Sequence, residues 1–278
     1  MNKKLLALYG LKYNPFIADV PVDALFSYPK LENFCWRVEQ SLLREGGFAL
    51  ISGDPGTGKS VALRILADRL SRVRDAQLGI ISHANSRLAD FYRELGDVFR
   101  VPLSASNRWG GFKNLREKWL THVDTTLLRP ILVVDEAQEM SPEVLSELRL
   151  LTSMQFDSRN LLSVILAGDQ RLNDKLRRDD LMPLGSRIRV RLITEHASIE
   201  QLTKTMQHLL EHAGNPDLMT NELINTLCEH AAGNNRVLCN MSGEILDMAA
   251  RLERHQQLDE QLFFECFAQS KPSHKRKS

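Results

Sequence analysis

The sequence predicts an α/β protein with a parallel sheet flanked by helices, followed by a small all-helical domain. Three observations carry this. Short apolar runs alternate with helical patterns from about residue 46 to residue 195, the order that builds a parallel sheet. A Gly-rich phosphate-binding pattern, Gly53 to Ser60, sits between the first run and the first long helix. After about residue 196 the strand signal stops and only helical patterns remain.

Each element follows from its own residues. Pro15, Pro21 and Pro29 punctuate the start, so residues 1–30 read as a short helix and an irregular segment expected to pack on the α/β core. Phe48–Ser52 is a short apolar strand. Val61, Leu63, Ile65, Leu66 and Leu70 have the spacing of a helix over Lys59–Val73. Leu78–Ser82 reads as a strand. Arg87–Phe99 and Phe112–Leu128 read as helices joined by a polar, Gly-containing link. Ile131–Val134 is a continuous β-branched-rich run, the mark of a parallel strand buried on both faces. Ser141 and Pro142 supply an N-cap and a first helical residue. Leu161–Ala167 is the next buried strand, and Arg187–Ile193 alternates basic and apolar residues as an edge or half-exposed strand does. Four helices are expected over 198–213, 220–232, 235–254 and 259–268. The expected divisions are an N-terminal segment (1–30), an α/β domain (31–195), a helical domain (196–268) and a disordered basic tail (269–278).

Composition excludes several classes. With 43% hydrophobic and 26% charged residues the chain is globular rather than disordered or collagen-like. Lys and Arg total 36 against 35 Asp and Glu, so a uniformly basic, histone-like protein is excluded. No apolar run approaches the roughly 20 residues that span a bilayer, and the polar start argues against a signal peptide. A cytoplasmic protein without a membrane partner is expected. Four cysteines without a CxxC pair fit free thiols. His208 and His212 are four apart on a helix but lack a third ligand, so a solvated helix face is expected there.

Gly53-Asp54-Pro55-Gly56-Thr57-Gly58-Lys59-Ser60 matches G-x-x-x-x-G-K-S/T between a strand and a helix. Gly56 and Gly58 let the backbone turn tightly and aim N–H groups at phosphate oxygens. The following helix, beginning Lys59-Ser60-Val61, adds its N-terminal partial charge. Lys59 is placed to reach the β- and γ-phosphates of ATP, and the Ser60 hydroxyl to bind Mg²⁺. Asp135 and Glu136 end the buried strand, where ligands bind in open α/β sheets. Asp135 is expected to hold Mg²⁺ through water and Glu136 to act as general base on the attacking water, so an ATPase is expected.

The order of phosphate loop, Asp135-Glu136-Ala137-Gln138 box, Leu166-Ala167-Gly168-Asp169 strand end, arginine-rich strand and helical lid resembles the AAA+ ATPases. Within them the chain resembles the ExeA-like branch, which includes transposon helper ATPases of the TnsC, TniB, IstB and MuB type. The opening Tyr9-Gly10-Leu11-Lys12-Tyr13-Asn14-Pro15-Phe16 is similar to that branch's start. The resemblance implies a P-loop AAA+ domain with a helical lid. It implies a polar sensor at Asp169, with Gln170 as rival, and a second sensor at Arg236 in Gly233-Asn234-Asn235-Arg236. It also implies an arginine finger acting on a neighbouring subunit from Arg187, with Arg189 and Arg191 as rivals, and hence a homo-oligomer, ring or filament.

Residues 171–195 hold seven basic residues, Arg171, Lys175, Arg177, Arg178, Arg187, Arg189 and Arg191, against four acidic ones. With the basic tail from Lys271 they suggest sequence-nonspecific duplex DNA binding. Arg108-Trp109-Gly110-Gly111-Phe112-Lys113 joins aromatics, glycines and positive charge as a DNA-facing loop can, but core anchoring by Trp109 and Phe112 is the expectation. The resulting functional expectation is an ATP-dependent DNA-binding regulator of transposition that recruits a transposase, with a target-selector protein as a further partner. An ATPase assisting secretion or pilus assembly, and a nucleotide-dependent scaffold, are the alternatives.

Overall fold

In a computed structural model, residues 3–81, 84–85, 87–103, 107–155, 158–254 and 257–268 are described. The basic tail and Ser82 lie outside them. The chain divides into two compact units, Ser27–Glu195 and Met1–Phe26 with His196–Ser278.

The first unit is built on a five-stranded parallel sheet. Its strands are β1 (Gly47–Gly53), β2 (Leu78–Ile81), β3 (Ile131–Val134), β6 (Ser163–Gly168) and β7 (Ile188–Thr194). A small antiparallel pair, β4 (Ser153–Met154) and β5 (Arg159–Asn160), lies outside it. The strand order is β2-β3-β6-β1-β7, and every pairing is parallel. The central strands carry the continuous apolar runs because both of their faces are covered: β3 and β6 are buried throughout. β7 is an edge strand and alternates, burying Val190, Leu192 and Thr194 while exposing Arg189, Arg191 and Ile193. Phe48, Leu50, Leu132, Val134, Val164 and Leu166 from the strands join Phe91, Leu95, Trp119, Leu145 and Leu148 from helices in one core.

Two local expectations change here. The helix expected from Phe112 begins at Arg108. Two glycines suggested a link, but the Asn107 side chain caps the Gly110 N–H at 2.8 Å, so Trp109-Gly110-Gly111 forms the first turn. Gly111 also lets Tyr92 close in, since a Cβ there would stand 3.1 Å from the ring. Trp109 is not a core anchor: it is 75% exposed, stacked on Phe112 at 5.8 Å between centroids. Trp119 is the buried tryptophan of this helix.

The second unit holds helices Ile199–Ala213, Asn221–Ala231, Asn235–Arg251 and Glu260–Ala268. Their starts are written in the sequence. Ser198 and Gln201 form a capping box, and Thr220 and Asn234 accept from the first-turn N–H groups of the next two helices. The N-terminal segment, expected on the α/β core, belongs to this unit instead. Tyr9, Leu11 and Phe16 are buried with Leu202, Met206, Leu210 and Ile245. Tyr9 donates to the Arg254 carbonyl at 3.0 Å, and Asn215 donates to the Tyr9 carbonyl at 2.8 Å. An apolar face offered by the helices and matched by these aromatic residues decides the placement. The His208–His212 pair is not a plain solvated face either. The two rings lie 4.0 Å apart, His208 meets Phe26 edge-on at 5.5 Å, and His208 Nε2 is buried without a hydrogen-bond partner.

Candidate nucleotide-binding site

The parallel sheet places three loops along its carboxyl edge. Register aligns Ser52 of β1 with Gly168 of β6, Gly53 with Thr194 of β7, and Val134 of β3 with Leu166 of β6. The segments that leave these strands are therefore neighbours: Gly53–Ser60, Asp135–Gln138 and Asp169–Gln170. Open α/β sheets bind ligands at this edge.

The phosphate loop folds as its glycines require. Gly56 and Gly58 have φ of 83° and 102°, a region that non-glycine residues enter at a cost. Gly53 is needed for a different reason: a Cβ would lie 2.1 Å from Thr194 Oγ1. Thr57 is buried, donates to the Asp54 carbonyl at 2.7 Å and meets Thr194 Oγ1 at 2.7 Å. Asp54 and Pro55 form the exposed crest. Lys59 is only 8% exposed, and its Nζ donates to the carbonyls of Gly53 at 2.8 Å and Asp54 at 3.0 Å. The helix Lys59–Ser71 starts there, with Ser60 exposed and Val61 half-buried in its first turn.

Asp135 and Glu136 follow β3. Burial pushes the Asp135 carboxyl above its ordinary range and the Glu136 charge adds to this, while the Glu136 N–H bond and the Lys59 charge pull the other way. The Glu136 N–H donates to Asp135 Oδ1 at 2.9 Å. Glu136 is exposed and sits at φ 52°, ψ 38°, a left-handed conformation unusual for a non-glycine residue and found disproportionately at functional sites. Its carboxylate accepts from the side chain of Gln138.

Asp169 caps the helix Gln170–Leu176 by accepting from the Arg171 N–H at 2.9 Å. Arg171 also pairs with Asp169 at 2.8 Å and with Glu139 at 2.8 Å. Burial raises the Asp169 carboxyl, but Arg171, with a contribution from Lys59, outweighs it and holds the group below its ordinary range. Lys59 thus acts electrostatically on both Asp135 and Asp169, which places the three in one field. Gln170 is on the exposed side of the same turn, 3.5 Å from Asp174. The edge thus brings together Lys59, Ser60, Asp135, Glu136 and Asp169.

The expected arginines of the β7 region lie away from this edge. Arg187 precedes β7 and donates to the Pro183 carbonyl. Arg189 pairs with Glu45 at 2.6 Å, and Arg191 donates to the Gly185 carbonyl at 3.2 Å. Arg236 is exposed in the first turn of Asn235–Arg251, in the helical unit. The basic cluster of residues 171–195 is largely spent locally. Arg177 lies 3.8 Å from Asp174, Arg178 3.2 Å from Asp180, and Lys175 donates to the carbonyls of Gln138 and Met140. Sequence reading overlooked the buried Glu147, which is 3% exposed and holds Tyr92 and Arg108 together. An acidic residue inside an amphipathic helix carries no local sign that it will be buried. Arg108, Trp109, Phe112, Arg116, Arg149 and Leu150 line an open groove of about 680 Å³ beside this pair.

Ser60 and Asp135 fit a hard divalent cation. One offers an exposed hydroxyl, the other a carboxylate that burial leaves short of counter-charge. The loop N–H groups and Lys59 fit a polyphosphate.

Comparisons with known proteins agree with this geometry. Residues 42–176 match the model of the AAA domain family. General secretion pathway protein A of Aeromonas hydrophila is 29% identical over 209 residues, covering 74% of this chain and 37% of its own length. The chain thus spans well under half of that relative. The Aeropyrum pernix ORC2 protein, in its ADPNP–ADP complexes, superposes with a TM-score of 0.73 at 15% identity over 93% of this chain and 72% of its own. The Aeropyrum pernix ORC1 protein in complex with DNA gives 0.68 at 16% identity, over 92% of this chain and 68% of its own. The fold is therefore a P-loop AAA+ fold, a parallel sheet flanked by helices with a helical region after it. Among the described residues no helix is long and apolar enough to cross a membrane.

Proposed function

We propose that this AAA-domain protein is a Mg²⁺-dependent ATPase whose ATP-bound form assembles into a homo-oligomer on duplex DNA and there recruits or activates a transposase. The observation that carries the ATPase reading is the convergence of the phosphate loop with Asp135 and Glu136 at one sheet edge. The N–H groups from Gly56 to Val61 cradle the phosphates, and Lys59 turns from the loop carbonyls to the β- and γ-phosphates. Ser60 and Asp135 would hold the cation. A bound Mg²⁺ supplies Lewis-acid neutralisation of charge developing on the phosphate oxygens. Glu136 accepts a proton from the attacking water. Asp169 or Gln170 senses the γ-phosphate. Arg187, or Arg189 or Arg191, reaches the nucleotide of a neighbouring subunit.

For the DNA step, the supporting features are the exposed Trp109 beside Arg108 and Arg149, and the DNA-bound state of the ORC1 structure that shares this fold. The basic residues of 171–195 are mostly paired, and Arg108 is paired with Glu147, so the DNA contact put forward rests on the exposed Trp109 with Arg149 beside it. A second reading, an accessory ATPase of secretion, is favoured by the identity to general secretion pathway protein A. ATPase assays with and without duplex DNA at low salt separate the two. DNA stimulation, with ATP-dependent assemblies on duplex DNA by electron microscopy, is the expected result. Absence of DNA affinity at low salt contradicts the transposition reading and leaves the second.

A further inference from the structure

We infer that Gln138 is a positioning residue for hydrolysis: its side-chain amide aims the Glu136 carboxylate and ties it to the end of β6. This deepens the ATPase reading above and rests on it.

Gln138 is 3% exposed, which is rare for a glutamine that stabilises nothing. Its amide makes two contacts on opposite sides. Oε1 accepts from the Asp169 backbone N–H at 3.2 Å, and Nε2 donates to Glu136 Oε2. The amide orientation follows from its partners and needs no assumption about which end is which. A backbone N–H is only a donor, so it must face the amide oxygen. An ionised carboxylate is only an acceptor, so it must face the amide nitrogen. A single planar group therefore links the base at the end of β3 to the sensor segment at the end of β6.

The surroundings hold this group in place. Lys175 donates to the Gln138 carbonyl and, at 2.9 Å, to the Met140 carbonyl, fixing the backbone of the loop. Gly168 leaves the space the amide uses: a Cβ there would lie 2.6 Å from Gln138 Oε1. Glu136 itself is exposed with a left-handed backbone, so its carboxylate has no packing to orient it. The bond from Gln138 removes rotamer freedom from a side chain whose position decides whether it can reach the attacking water. Misplacement by about 1 Å is enough to lose roughly 10²-fold in rate. Because the other half of the amide holds the Asp169 N–H, a movement of the sensor segment is transmitted to Glu136.

Two substitutions separate positioning from support. Gln138→Met keeps the volume and removes both bonds. Gln138→Glu keeps the bond accepted from the Asp169 N–H, loses the donor and sets a like charge against Glu136. Steady-state ATP hydrolysis, ATP binding and melting temperature are measured on both, with Glu136→Gln and the Glu136→Gln/Gln138→Met double variant alongside. Both single Gln138 variants are expected to lower kcat about tenfold or more while KM for ATP stays within about twofold. Gln138→Glu is expected to be the more impaired, and the double variant to be no slower than Glu136→Gln alone. A wild-type kcat in either Gln138 variant overturns the inference, as does Gln138→Glu outperforming Gln138→Met, which marks support of Asp169 alone. Multiplicative losses in the double variant overturn it too. If instead Glu136→Gln hydrolyses ATP normally, the general-base reading itself fails.

Discussion

Thr57 and Thr194 share a hydrogen bond of 2.7 Å that ties the middle of the phosphate loop to the last residue of β7. The contact lets the loop rest on the edge strand, and Gly53 makes room for it. Each hydroxyl also has a carbonyl acceptor, Asp54 for Thr57 at 2.7 Å and Ser52 for Thr194 at 3.4 Å, so either can serve as donor between the two. Thr194→Ala removes one buried hydrogen bond, worth about 1 kcal/mol. ATP affinity measured by calorimetry is expected to fall roughly fivefold, with a lower melting temperature. An unchanged dissociation constant would show that the loop holds its shape without this tether.

Lys59→Ala removes the only side-chain ammonium in the loop, the charge proposed above to reach the β- and γ-phosphates. ATP binding, followed with a fluorescent nucleotide, is expected to disappear. Retained binding at wild-type affinity contradicts the role given to Lys59.

Asp135 yields a prediction with a definite sign. Burial raises its folded-state pKa above the unfolded value, so the folded chain holds the proton more tightly. The ionised group therefore opposes folding at neutral pH. That penalty is complete above the folded pKa and vanishes as pH falls below the unfolded one. Asp135→Asn is expected to melt at a higher temperature than wild type at pH 7.5, with the gain shrinking toward pH 4, while Mg²⁺-dependent hydrolysis is lost. An unchanged or lower melting temperature at pH 7.5 would count against a carboxylate held short of counter-charge.

His208 carries the opposite sense. Burial first, and then His212, lower its pKa, and Glu211 offsets this only in part. The neutral ring contributes stability that is fully present above the unfolded pKa, about 6.5, and is lost as pH falls through that value toward the folded one. Melting temperature is expected to drop between pH 7 and pH 5.5, and to drop less in His208→Gln. Parallel pH curves for the two proteins would exclude His208 as the cause.

Much of the candidate site is legible in the sequence because its motifs are local. The loop Gly53–Ser60 and the pair Asp135-Glu136 carry their own spacing, and the apolar runs of β1, β3 and β6 are long enough to announce burial. What could not be read depends on partners distant in sequence. The Trp109 turn looks like a link until Asn107 caps it and Tyr92 needs Gly111 beside it. The Tyr9–Phe16 segment joins the helical unit through residues some 200 positions away. Gln138 closes the Asp135–Gln138 motif, but its connection from Glu136 to Asp169 exists only once β3 and β6 are neighbours.

The central claim is that Glu136, at the edge where the phosphate loop converges, drives hydrolysis of Mg²⁺-ATP. Rapid-quench measurement of phosphate release under single-turnover conditions, on wild type and Glu136→Gln saturated with Mg²⁺-ATP, tests it directly. The account predicts equal ATP binding and a rate at least about 10²-fold slower in the variant. Equal rates in the two proteins would contradict it.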